Sequence, residues 1–208
     1  HYLFIPRAIL YPYQDKLHPW SSHATLSRWL KDIPAGSKVL DIGTASGALG
    51  RLSQGLGLYL NGIEPNPEWA DIARPYYQEV FTGFLQEAPA GFIDSADVIV
   101  LADVLEHLPE PHAALRELAA RAAPGCVFMI SVPNVANLAV RLGLLFGHFD
   151  YTDRGILDRT HLHFFTRATY HQLLAEAGLT IQRSAVTPVP LNFVHPFFEQ
   201  KPFGRWIH

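Results

Sequence analysis

The stretch that most constrains this chain is Val39-Leu-Asp-Ile-Gly-Thr-Ala-Ser-Gly47. The apolar run over 38–42 reads as a short buried strand. It runs straight into a turn of small residues, and a helix over 48–56 follows. A turn made of glycine and other small residues lets a ligand come close to the backbone. A second apolar run over 58–64 ends in Glu64. An acid at the end of a second strand can accept hydrogen bonds from two adjacent ribose hydroxyls.

The same alternation continues. Strands are expected over 79–81, 96–102 and 127–132, with helices from Pro67 through Arg74 and over 111–122. The run over 96–102 is continuously apolar, as in a parallel strand covered on both faces. The pattern implies an α/β fold: a Rossmann-like open, mostly parallel sheet with helices on both faces. Ligands of such sheets sit at the carboxyl ends of the strands, where Gly43, Glu64, Asp103 and Asn134 fall. Further helices are expected over 21–31, with Ser21 or Ser22 as N-cap, over 136–146, and from Thr166 as N-cap to Gly178. A sixth strand is expected over 179–186. The chain therefore divides into an arm and helix over 1–37, a ligand-binding domain over 38–187 with a lid-like insertion at 135–165, and an aromatic tail over 188–208.

With 208 residues and 49% hydrophobic content the chain suits one domain with a substantial core. The net charge of −3 and the lack of a basic block give no support for a nucleic-acid partner. Cys126 is the one cysteine, so no internal disulfide can form and a cytoplasmic setting is favoured. No apolar run is long enough to span a membrane.

Nicotinamide enzymes share the strand, glycine turn and acid. Two features point away from them. Asp41 has no role in a dinucleotide fingerprint, and Gly43-Thr-Ala-Ser-Gly47 fits a G-x-G-x-x-G pyrophosphate loop poorly. The order and spacing of further motifs are more specific: Gly62-Ile-Glu-Pro-Asn66, Ala102-Asp-Val-Leu-Glu-His-Leu-Pro-Glu-Pro111, Ser131-Val-Pro-Asn134 and Asp158-Arg-Thr-His-Leu-His-Phe-Phe-Thr166. With the 39–43 stretch, these resemble the class I S-adenosylmethionine (SAM)-dependent methyltransferases. The broad bacterial group that includes ubiquinone-biosynthesis O-methyltransferases and MetW-like proteins is the nearest likeness.

That resemblance implies SAM as cofactor, S-adenosylhomocysteine (SAH) as product, and a small-molecule acceptor methylated on oxygen. It implies that Asp41, Gly43, Thr44, Ala45 and Gly47 line the methionine and adenosine portions. Asp41 would offer negative charge near the cofactor's ammonium group. Glu64 would hold the ribose, Pro65 and Asn66 would flank the adenine, and Ala102 and Asp103 would lie near the sulfonium. Relatives commonly carry Gly-Cys-Gly-Thr-Gly in the loop, where this chain has Thr44 and Ala45. Many also place an Asp where this chain has Phe84, so apolar contact and backbone amides are expected to grip the adenine. These departures keep a second reading in view, a non-catalytic SAM-fold protein that regulates or partners another enzyme.

Methyl transfer from a sulfonium mainly needs alignment and exclusion of water, with a general base for some acceptors. His107, His161 and His163 are the catalytic candidates. His161 and His163 would face one side if their segment were extended, though the motif can equally tie the lid down through Asp158, Arg159 and His161. By resemblance, Asp103, Glu106 and His107 fall on a Glu-x-x-Glu-His cation cluster, with the shorter Asp103 in place of its first Glu. The expectation is nevertheless no metal, with Glu106 and His107 bracing the next helix. Asn134 can touch the acceptor or simply form a turn. The tail from Phe193 to Trp206 can serve as a substrate wall, a homodimer contact, a membrane-surface patch or ordinary packing.

Overall fold

The run with no exposed side chain, Val98–Ala102, becomes β4. It lies between β1 (Lys38–Ile42) and β5 (Val127–Ser131). Beyond β1 lie β2 (Tyr59–Glu64) and β3 (Glu79–Thr82), so the order is β3-β2-β1-β4-β5. Every pairing is parallel, and the registers bring Ile42 opposite Ile63 and Leu101. The computed structural model describes residues 19–188. The expected arm over 1–18 and the aromatic tail over 189–208 lie outside the described residues.

Helices α1 (Ser22–Leu30), α2 (Ala48–Leu52) and α3 (Pro67–Ala73) cover one face. There Leu26, Leu30, Leu49 and Ala70 pack on Val39, Leu60 and Val100. Helices α4 (Ala90–Asp94), α5 (Pro111–Arg121) and α7 (Arg167–Glu176) cover the other. Leu115, Leu118 and Leu173 pack there on Leu40, Ile99 and Leu101. Alternate residues of β1 thus feed opposite cores, the period-two pattern of a strand buried on both faces.

Capping fixes the helix starts. Ser21 accepts from the Ala24 amide, Asn66 from those of Glu68 and Trp69, and Thr166 from that of Thr169. Helix α6 (Leu138–Leu145) begins later than the expected 136, because Asn137 is its cap and Asn134 makes the turn before it by accepting from Ala136. Helix α2 stops at Leu52 rather than 56, since Gly55 and Gly57 turn the chain with positive φ. Helix α4 was not expected from the sequence.

The sixth strand over 179–186 is a correction: no strand forms there. Gly178, with φ 76°, ends α7, and Leu179 donates back to the Leu174 carbonyl. The chain then runs exposed toward α1, where Arg183 pairs with Asp32 and lies over the Trp29 ring. The 135–165 insertion builds a small core of its own from Val140, Ile156 and Leu157. Among the described residues no helix is long and apolar enough to cross a membrane.

Leu115 is 0% exposed against the sheet. Leu115→Ala is expected to lower the free energy of urea unfolding by about 2–5 kcal/mol. A loss under about 1 kcal/mol would show that α5 is not part of the cooperative core.

Candidate functional site

The turn after β1 continues the sheet's hydrogen bonding before it bends. The amides of Gly43 and Thr44 both donate to the Ile63 carbonyl, and Gly47 closes the turn by donating to the Thr44 carbonyl. Gly43 has φ 77°, and a Cβ there would stand 2.8 Å from Cγ2 of Val104. Thr44 is buried, and its methyl lies 2.4 Å from where a Cβ on Gly62 would be. The Thr44 side chain thus fills a notch that only glycine in β2 leaves open. Ala45 sits in the left-handed region, with φ 45°.

Glu64 holds this turn. Its Oε2 accepts from the Ala45 amide at 2.8 Å and its Oε1 from the Asn66 amide at 2.9 Å. Burial raises the Glu64 pKa, and the two amides oppose that rise. Asn66 spends its side-chain oxygen capping α3, while Pro65 is exposed beside it. Phe84 is 51% exposed, and its amide donates to Glu87. The ring is therefore a bare apolar face at the end of β3.

Asp41 does not stand open to a ligand as expected. It is 2% exposed, and its Oδ2 accepts a 2.6 Å bond from the Tyr77 hydroxyl. Burial pushes its pKa up to about 7 against that bond, and nearby Glu64 adds to the rise.

Across the crevice, Ala102 ends β4 and Asp103 follows in the left-handed region, with φ 57°. Its carboxylate accepts from Ser131 at 2.7 Å and Ser22 at 2.8 Å, joining β5 and α1. A 3-10 turn, Leu105–His107, comes next. The structure brings Glu106, His107 and His161 together, with one potential ligand atom from each within 4.8 Å of the others. Asp103 is not in that group, because the serines hold it elsewhere. Glu106 is 1% exposed, and its backbone carbonyl accepts from both Leu162 and His163.

The three histidines differ. The exposed His107 ring has Nδ1 at 3.3 Å from the Thr160 carbonyl and meets His161 edge-on at 4.8 Å. Nδ1 of His161 donates to the Ile156 carbonyl at 3.1 Å, which leaves Nε2 at 3.9 Å from Glu106. Nε2 of His163 donates to the Pro109 carbonyl at 3.1 Å. His161 and His163 do not share a side, since their segment is a bent loop. Asp158 shapes that loop by accepting from the Thr160 amide and hydroxyl, while Arg159 pairs with Asp153. Asn134 makes its turn. The contacts that Tyr77, Ser22 and Ser131 make here are not legible in the sequence because each acts on a residue far away in the chain. An open cleft of about 490 Å³ between Ile33, Gly36, Asp97 and Val127 lies at the amino ends of the strands, the wrong end for this chemistry.

Comparison with known proteins agrees with this fold. Residues 17–184 match the family model described as a methyltransferase domain. The chain is 28% identical to the ubiquinone biosynthesis O-methyltransferase of Aeromonas salmonicida, over 79% of this chain and 73% of that protein. It is 29% identical to the enzyme of the same name from Xanthomonas axonopodis pv. citri, over 72% of this chain and 65% of that protein. Among solved structures, magnesium protoporphyrin IX methyltransferase from Synechocystis with bound SAH superposes with a TM-score of 0.62 at 21% identity. That match covers 81% of this chain and 76% of the other. A SAM-dependent methyltransferase from Archaeoglobus fulgidus superposes with a TM-score of 0.53 at 21% identity, covering 75% and 66%.

Two outcomes follow from the loop. Ala45→Gly removes a left-handed alanine and is expected to raise stability by about 1 kcal/mol in urea unfolding; a loss instead would show that the methyl is packed to advantage. An acid with a raised pKa binds its proton more tightly in the fold. Asp41 therefore costs stability progressively as pH climbs from its ordinary 3.8 to about 7, and fully above that. The advantage of Asp41→Asn over wild type in urea unfolding is expected to grow from pH 4.5 to pH 8, and a pH-independent difference would contradict it.

Proposed function

We infer that this chain, which belongs to the class I SAM-dependent methyltransferase family, binds SAM at the carboxyl ends of β1, β2 and β4 and methylates an oxygen of a small-molecule acceptor. The observation that carries this reading is Glu64. Each carboxylate oxygen accepts one backbone amide and keeps a lone pair, so a fixed, preorganised acid faces the turn where a ribose diol would lie. The residues present suit the cofactor. Gly43 leaves no side chain between the turn and Val104, Phe84 offers an apolar face to an adenine ring, and Asp103 supplies negative charge near a sulfonium.

When bound, SAM supplies an activated methyl group. The chain's own residues then align the acceptor, exclude water and take its proton. His107 is the base in this scheme: it is exposed, beside the crevice, and held by Thr160. His161 positions it edge-on, and His163 is a strut to Pro109. The names of the relatives from Aeromonas salmonicida and Xanthomonas axonopodis, both O-methyltransferases, support oxygen as the acceptor atom. The exposed side chains of Leu138, Leu142, Leu145 and Phe146 on the insertion favour an acceptor with an apolar portion.

One observation favours a second form of the same reaction. Glu106, His107 and His161 offer a carboxylate and two imidazoles at ligand spacing, and the Nδ1 of His161 is pinned by a carbonyl, as metal-ligating histidines usually are. A divalent cation there would lower the pKa of an acceptor hydroxyl.

Calorimetry with SAM and SAH is expected to show micromolar binding by wild type and loss of binding by Glu64→Ala. Against catechol and phenol acceptors, His107→Ala is expected to lower kcat by about 10²–10⁴ while retaining SAH binding. Loss of turnover on chelation, restored by magnesium, manganese or zinc, would select the cation-assisted form; turnover indifferent to chelation would select His107 alone. A folded wild type that binds neither SAM nor SAH would overturn the reading and favour the non-catalytic partner role.

A further inference from the structure

Helix α2 begins at the cofactor turn without a side-chain cap. Its N-cap is Gly47, with φ 84°, which has no side chain to offer the orphan amides of the first turn. One of those amides, that of Gly50, instead donates at 3.1 Å to the hydroxyl of Tyr77, which arrives from the segment before β3. The same hydroxyl donates at 2.6 Å to Asp41, on the other side of the turn. Its ring lies where side chains on α2 and β2 would otherwise be. A Cβ on Gly50 would stand 2.5 Å from the ring and one on Gly62 3.4 Å from it. Tyr77 is 9% exposed, so both bonds are shielded from water.

We propose that Tyr77 is a positioning residue of the cofactor site, its hydroxyl bridging Asp41 and the Gly50 amide so that the 41–50 turn keeps the shape that receives SAM. The need for such a brace is written in the turn itself. A left-handed alanine persists only where its surroundings over-determine it. Glu64 fixes the Ala45 amide and Thr44 is keyed into Gly62, but neither reaches the start of α2. Tyr77 supplies that third hold. It also turns Asp41 from a ligand contact into an anchor: with Oδ2 taken by the phenol, its carboxyl group ties β1 to α2 beneath the turn.

This inference rests on the SAM-binding reading. Its test compares SAH affinity by calorimetry, and ligand-free stability in urea, for wild type, Tyr77→Phe and Tyr170→Phe. Tyr77→Phe keeps the ring that packs on Gly50 and removes only the bridge. Tyr170 is a control of the same kind, because its hydroxyl donates to the Ile130 carbonyl at 3.2 Å, away from the turn. Tyr77→Phe is expected to weaken SAH binding about tenfold, while Tyr170→Phe loses stability with SAH affinity unchanged. Ala45→Gly added to Tyr77→Phe is expected to recover part of the lost affinity, by removing the strain that the bridge opposes. Hydrogen exchange of the Gly50 amide in wild type gives a second readout, with added protection expected at saturating SAH. Unchanged SAH affinity in Tyr77→Phe overturns the inference and leaves the cofactor reading standing. If Tyr77→Phe does not fold, Gly50 exchange that is indifferent to SAH overturns it. A wild type that binds no SAH overturns both.

Discussion

A carboxylate shared between two backbone amides organises this molecule's ligand edge. Glu64 ends β2, yet its oxygens bond to the turn after β1 and to the start of α3. Two crossover connections are therefore tied together at one buried acid. The parallel register makes this possible: β1 and β2 run level from Lys38 with Tyr59 to Ile42 with Ile63, so their next residues leave the sheet side by side. A shift of one position would turn Glu64 into the opposite core and leave both amides without an acceptor. Burying an acid in this way is tolerable because the amides compensate the lost hydration.

The turn after β4 is joined to this arrangement mechanically. Val104 packs where Gly43 lacks a side chain, and it begins the turn that carries Glu106 and His107. Just before it, Asp103 sits in a left-handed conformation with its carboxylate held by two serines, one from β5 and one from α1. The two non-glycine residues with positive φ among those described, Ala45 and Asp103, flank the same crevice. Strain of this kind gathers where a site must be preorganised, and here the hydrogen bonds that hold it come from outside the strained segments.

Legibility in the sequence followed the range of the interaction. The order of strands over 38–132, the Gly-rich turn, Glu64 at a strand end, and the caps depend on local periodicity and on side chains that bond within a turn of themselves; these are found as expected, with Ser21 rather than Ser22 as the first cap, Thr166 as the last, and α2 and α6 shorter than expected. The strand over 179–186 failed because an apolar alternation at Leu179 and Ile181 cannot say whether a neighbour is free to pair, and Arg183 goes to α1 instead. The bridge from Tyr77 spans 36 positions to Asp41, and no spacing rule announces it. The glycines at 50 and 62 were its only trace: small residues at places where neither a turn nor a positive φ required them.

The histidines show how one motif can divide its duties. Thr160-His-Leu-His163 reads as a pair of equivalent imidazoles, and an extended strand would have made them so. The chain bends instead, because the Glu106 carbonyl takes two successive amides, those of Leu162 and His163. Both histidines then spend one ring nitrogen on a carbonyl, His161 on Ile156 inside the insertion and His163 on Pro109 ahead of α5. His163 thereby stitches the insertion to the domain, while His161 braces the insertion internally. Only His161 keeps its second nitrogen toward Glu106 and His107. The same backbone bonds that disperse the histidine pair thus assemble the three-residue cluster, so Glu106 anchors the insertion through its carbonyl and contributes its buried carboxyl group to the cluster.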